Sequence, residues 1–284
     1  MPMPQTLTTA DGLTLQTREW PCADARATVL IVHGLGEHAG RYEHVAAQLV
    51  RGGHHVVAYD HRGHGTSDGP RGRLHLPDDL LRDLARVIDA VRAARPGPLV
   101  LLGHSMGGVI AARMVAAGLE PKPPKWHRAV DALVLSSPAL DIGLGGAQKL
   151  LLALAAPLAP DVALGNGLDP AWISRDTAVV RAYVDDPLVH DRVSAKLVRF
   201  MFEAGAFVRA DAAQWRVPTL LLYAGADRCV VPAGSAAFAA AAPPSVVTVQ
   251  AFPALFHELF NEPEQAEVFA VLAEWLRTAP YTGR

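Results

Sequence analysis

The chain has 284 residues, 50% of them hydrophobic and 19% charged, with a formal net charge of −2 at pH 7. That length and apolar content are enough for one large core, so a single α/β domain carrying an insertion is expected rather than a disordered chain. A near-neutral balance with scattered basic residues leaves no electrostatic footprint for nucleic acid.

The two cysteines, Cys22 and Cys229, give no disulfide framework and fit a reducing cytoplasm. Residues 1–10 show neither the basic segment nor the apolar run of a signal peptide. The most apolar tract, 150–164, is interrupted by Pro157 and Pro160 and is too short to span a bilayer. A cytoplasmic protein is expected, at most peripheral to a membrane.

Residues 6–20 alternate around Asp11-Gly12, which predicts two antiparallel strands. The continuous apolar run at 27–32 predicts a strand buried on both faces of a parallel sheet. It ends in a loop that opens His33-Gly34-Leu35-Gly36. A helix over 42–51, a strand over 55–59 and a polar Gly-rich loop over 60–67 follow. The stripe Leu80, Leu81, Leu84, Val87, Ile88 and Val91 places a helix over 78–94. After a strand at 132–135, residues 138–215 carry no clear strand, and we read them as an inserted helical cap. Strand and helix then alternate again, with strands at 219–223 and 246–252 and helices at 234–241 and 264–276. This order predicts a mostly parallel sheet flanked by helices, with a core of 1–137 and 216–284.

The chemistry is concentrated where the apolar run 99–102 leads into Gly103-His104-Ser105-Met106-Gly107, with a small-residue helix expected over 109–119. Strand, Gly-x-Ser-x-Gly and helix in that order make a nucleophile elbow, in which the turn is so tight that a Cβ at either glycine would collide. Ser105 then stands at a helix N-terminus, where the Met106 N–H can receive an oxyanion. Two more strand ends carry the partner residue types, Asp227 after 219–223 and His257 after 246–252. The order Ser, Asp, His is that of the α/β-hydrolases. Asp131, Asp141 and Asp211 compete for the acid, but only Asp227 ends a predicted strand just past a glycine. The second oxyanion donor is expected at the Leu35 N–H. His33, Asp60 and Arg62 are expected to brace that loop, because His33, His61, His64 and His104 match no zinc spacing. Cys229 reads as a small packing residue within reach of the site.

Five blocks of residues resemble the monoacylglycerol lipase and lysophospholipase-like α/β-hydrolases. They are 33–42 (His-Gly-Leu-Gly-Glu-His-x-Gly-Arg-Tyr), 60–67 (Asp-His-Arg-Gly-His-Gly-x-Ser), 103–108 (Gly-His-Ser-Met-Gly-Gly), 137–140 and 225–227. The resemblance implies an α/β-hydrolase fold with a cap and a catalytic set of Ser105, Asp227 and His257. It also implies oxyanion N–H groups at Leu35 and Met106; a triad with two backbone donors is sufficient for acyl transfer, so no cofactor or metal is expected. Glu37 and Arg41 either contact the polar head of the substrate, as the resemblance implies, or form a salt bridge on the first helical turn. The implied activity is hydrolysis of a monoacylglycerol or lysophospholipid through an acyl-enzyme. The cap tract either packs on the core or lines a lipid pocket and touches a micelle or membrane. Short-chain carboxylesterases and thioesterases share this machinery, and some relatives of the fold only bind small molecules. Oligomeric state is left open.

Overall fold

The computed structural model describes residues 3–146 and 161–279. Eight strands form the main sheet: β1 (Thr6–Thr8), β2 (Thr14–Trp20), β3 (Thr28–Val32), β4 (His55–Tyr59), β5 (Leu99–His104), β6 (Ala132–Ser136), β9 (Thr219–Ala224) and β10 (Val247–Phe252). Their spatial order is β1-β2-β4-β3-β5-β6-β9-β10. The expected hairpin is present, with Leu7 opposite Leu15, and β2 runs antiparallel to β4. All other neighbours are parallel.

The central strands are buried along their whole length, which is why they read as unbroken apolar runs rather than alternating ones. Side chains still alternate between faces. Leu30, Leu101, Leu133 and Leu221 join one core, and Val29, Val100, Val134 and Leu222 join the other. The first is closed by α2 (Asp79–Ala94), α3 (Ser105–Ala116), α5 (Ala195–Ala210) and α6 (Pro232–Ala241), and the second by α1 (Glu43–Arg51) and α7 (Gln265–Thr278).

The chain leaves the sheet after Ser136 and returns at Thr219 in the neighbouring strand. Between them lie α4 (Thr177–Asp185), α5, and two short strands, β7 (Ala163–Gly165) and β8 (Arg192–Ser194), paired antiparallel. The expectation of no strand over 138–215 is therefore corrected. Strands of three residues carry too little period-two signal to read. Most of the tract 150–164 lies outside the described residues. Leu197, Phe200, Met201 and Val208 of α5, with Trp215, belong to the core that covers α3.

Arg62 also departs from its expected role. Its guanidinium meets Asp79 at 2.8 Å and Asp83 at 2.6 Å, both buried, and Asp11 at 3.0 Å. It joins the 60–67 loop to the start of α2 and to the β1–β2 turn, and braces no part of the 33–38 loop. Nothing local in the sequence shows which carboxylates fold back onto an arginine. His33 and Asp60 do reach that loop: His33 Nδ1 lies 2.8 Å from the Gly34 carbonyl, and Asp60 Oδ1 accepts from Ala39 N at 2.8 Å.

Candidate active site

Between β5 and α3 the chain turns at Ser105 with φ +53°. This left-handed conformation costs a non-glycine residue on the order of 1–3 kcal/mol and is held only where the surroundings enforce it. The enforcement is visible at Gly107, where a Cβ would lie 1.9 Å from the Val32 carbonyl oxygen. α3 thus presses directly on the end of β3. It begins at Ser105 itself and not at 109, since Ser105, Met106, Gly107 and Gly108 carry no apolar period to mark them as helical. The first N–H groups of α3, including that of Met106, have no partner within the helix and form its positive end. The Met106 side chain is fully buried.

The 33–38 loop comes close to Ser105. A Cβ on Gly34 would stand 3.2 Å from the Ser105 Cβ. Gly34 N donates to Glu37 Oε1 at 2.5 Å, and Tyr42 Oη donates to the same oxygen at 2.7 Å. His33 Nε2 accepts from His61 N at 3.0 Å, so its proton sits on Nδ1, facing the Gly34 carbonyl. Burial above all, with neighbouring imidazoles adding, holds His33 well below the ordinary histidine value, in keeping with that neutral form.

Asp227 follows β9. Its Oδ1 accepts from Cys229 N at 2.8 Å and Val230 N at 3.1 Å, and its Oδ2 accepts from His257 Nδ1 at 2.7 Å. Asp131 and Asp141 are engaged elsewhere, with Leu99 N and Gly143 N. Burial alone would lower the pKa of His257, but the charge and hydrogen bond of Asp227 outweigh it, helped by Glu258 and Glu37, and the net shift is upward. His104 packs on His257 with ring centres 4.7 Å apart. Burial and the charge of His257 push His104 down to about 4. The two touching imidazoles are thus shifted in opposite directions, His104 by burial and His257 by its Asp227 partner.

Ser105, His257, Leu35 and Glu37 all face one cavity of about 330 Å³, whose wall also includes Cys229 and Tyr183. Arg41 is not part of that wall. It lies behind Glu37, 2.8 Å from its Oε2, and binds Glu258 through two contacts of 2.6 and 2.8 Å. The salt bridge anticipated between Glu37 and Arg41 is present, and it extends to Glu258. Sequence reasoning missed Glu258, because only the fold shows that the residue after His257 turns toward Arg41. Tyr183, from α4, was also missed; its ring lies 4.7 Å from the Arg41 guanidinium carbon. The segment after α4 is fastened to the same loop, through His38 to Asp186 at 2.8 Å and through His190 N to the Gly36 carbonyl at 2.9 Å.

A serine at a strand-to-helix turn, on a mostly parallel eight-stranded sheet with an Asp–His pair at two later strand ends, places the molecule among the α/β-hydrolases. Comparison with known proteins agrees. The family described as "Serine aminopeptidase, S33" matches residues 23–264. The monoacylglycerol lipase of Mycolicibacterium smegmatis is 36% identical over 261 residues, covering 90% of this chain and 90% of that protein. The crystal structure of Paleococcus ferrophilus monoacylglycerol lipase matches with a TM-score of 0.80 at 32% identity, over 92% of this chain and 98% of that one. An uncharacterized abhydrolase domain-containing protein of Dictyostelium discoideum is 34% identical over 273 residues, and there the chain spans 28% of the relative's length. The chain belongs to the monoacylglycerol lipase-like family of α/β-hydrolases and is a carboxylic ester hydrolase. No helix among the described residues is long and apolar enough to cross a membrane.

Proposed function

We propose that the chain hydrolyses monoacylglycerols through an acyl-enzyme formed on Ser105. The observation that carries this reading is the Asp227–His257 bond of 2.7 Å beside a cavity that Ser105 and His257 share. His257 takes the Ser105 proton as Oγ attacks the ester carbonyl, then passes it to the departing glycerol oxygen. Asp227 holds the imidazole tautomer and stabilises the imidazolium. The N–H groups of Leu35 and Met106 receive the oxyanion. A water molecule repeats the sequence to release the fatty acid, and no cofactor is required.

Glu37 and Arg41 serve in this reading as braces rather than as head-group ligands, because their polar atoms are engaged with Gly34, Tyr42 and Glu258. Within the insertion, residues between 166 and 191 line the cavity and serve as its cap, while α5 acts as a core helix. Val162, Leu164 and Val184 are 53%, 65% and 61% exposed, and Leu168 and Val184 also line the cavity. Apolar side chains at once on the surface and at the cavity support entry of a lipid-like ester from a micelle or membrane.

The test is a series of 1-monoacylglycerols of graded chain length, run beside a lysophospholipid and p-nitrophenyl acetate with Ser105→Ala as the blank. A rate maximum at medium or long monoacylglycerols is expected. Turnover of the acetate alone would make the protein a short-chain carboxylesterase.

The upward shift of His257 gives a second expectation, on pH. Only neutral His257 can act as base, so kcat/KM falls as pH drops through its pKa, with the acid limb above the ordinary imidazole value. Asp227→Asn, besides slowing the reaction, should move that limb to lower pH. The stability contribution runs the other way. A raised pKa stabilises the fold fully below the unfolded-state value, and the gain is lost as pH rises through the folded value. pH–rate profiles and urea midpoints on the same protein check both signs.

A further inference from the structure

His33, His61, His64 and His104 match no metal-ligand spacing in the sequence, whereas the active site brings other donor types together. Among the described residues, the group of three that could hold a metal ion is Asp227, Cys229 and His257, with one donor atom of each within 4.8 Å of the others. We propose that this group binds a thiophilic divalent cation, Zn²⁺ or Cd²⁺, through the Cys229 sulfur and the His257 imidazole beside the Asp227 carboxylate, and that the bound ion switches the hydrolase off.

The donor set selects the ion. Sulfur, imidazole nitrogen and carboxylate oxygen suit zinc and its soft congener, whereas magnesium and calcium call for oxygen ligands. Asp227 organises the other two: its Oδ1 fixes the turn that carries Cys229, and its Oδ2 fixes the His257 ring through Nδ1. That leaves Nε2 as the ring nitrogen available to a metal, with a carboxylate behind it, an arrangement that orients a metal-bound histidine and strengthens it as a ligand.

Access and charge point the same way. Cys229 and His257 both line the 330 Å³ cavity, so a hydrated ion has a route in and water can complete its coordination. The carboxylates of Asp169, Asp186, Asp191 and Glu258 also line the cavity and attract a dication. On binding, the S–H bond breaks as the metal–sulfur bond forms, the proton leaves to solvent, and no electron is transferred. The Nε2 lone pair is then occupied by metal and cannot take the Ser105 proton.

The loss of activity rests on the role proposed for His257, but the binding does not, so the two are measured separately. In a full-length Cys22→Ser background, Cd²⁺ is titrated while the ultraviolet thiolate-to-cadmium charge-transfer band is followed. Zn²⁺ is titrated against ester hydrolysis, each variant normalised to its own metal-free rate. Expected are a saturable band that persists in Ser105→Ala, and Zn²⁺ inhibition that EDTA reverses. Cys229→Ala and Cys229→Ser should abolish the band and need at least about tenfold more Zn²⁺ for half-inhibition. Equal Zn²⁺ sensitivity of the Cys229 variants, or no band in the parent, overturns the proposal. A band without inhibition would place the ion on sulfur alone and overturn the shared site.

Discussion

Ser105→Ala is expected to lower kcat for ester hydrolysis by about 10⁴- to 10⁶-fold, equivalent to about 5–8 kcal/mol of transition-state stabilisation. Without Oγ there is no acyl-enzyme, and what survives is attack by water helped by the oxyanion N–H groups and by binding. The urea midpoint should stay near that of the parent, because alanine suffers the same unfavourable φ of +53° at this turn as serine does. Ser105→Gly separates the two effects. It should be as inactive as Ser105→Ala yet more stable, since glycine adopts positive φ without that penalty, apart from its greater loss of chain entropy. Hydrolysis rates and urea unfolding on the three proteins check this. A purified Ser105→Ala that retained near-parental activity would sink the assignment of the nucleophile.

Arg41→Met is expected to be the most destabilising of the charge changes at the site, by about 3–5 kcal/mol in urea unfolding. Arg41 lies between two buried carboxylates, Glu37 and Glu258, and removing it leaves both uncompensated. Burial alone would raise the pKa of Glu258, but Arg41 outweighs it and holds the group below the usual glutamate value. The parent protein therefore gains stability from this pair above the unfolded-state pKa and loses it as pH falls through the folded value. In Arg41→Met the carboxylates are instead relieved by taking up protons, so the gap between variant and parent should narrow on acidification. Glu258→Gln in the Arg41→Met background should recover part of the loss by removing one stranded charge. Activity should fall mainly in kcat, because Glu37 carries the Gly34 N–H and Glu258 adjoins His257. The pair thus joins the 33–38 loop to the segment that carries His257. A variant that kept parental kcat and stability would show that the bridge is dispensable.

Much of the sheet was legible because the physics that makes it is local. Buried parallel strands must be continuously apolar, and the apolar runs at 27–32, 99–102 and 132–135 fall on β3, β5 and β6. The turn at Ser105 was legible for a steric reason, since only glycine at 107 lets α3 approach β3. What was not legible depends on long-range contact. Arg41 and Glu258 lie 217 positions apart, and nothing near either residue announces the other. Arg62 was assigned to the wrong loop for the same reason. β7 and β8, at three residues each, are too short to show a period, and α5 reads as part of an insertion although its inner face packs on α3.

The place where the chain leaves and re-enters the sheet bears on how this molecule can change over evolutionary time. β6 and β9 are adjacent, with Leu133 opposite Thr219 and Ser136 opposite Leu222. The exit at Ser136 and the return at Thr219 are therefore held a fixed distance apart by backbone hydrogen bonds, three register positions (about 10 Å) along the strands and one strand spacing across, whatever lies between them. Closing a loop between fixed neighbouring ends costs only about 0.6 kcal/mol more for each doubling of its length. The portion of that excursion over the cavity can lengthen, shorten or be exchanged for a relative's without shifting the register that aligns Ser105, Asp227 and His257. New ester preferences can then arise by grafting, while the reactive groups remain inherited unchanged.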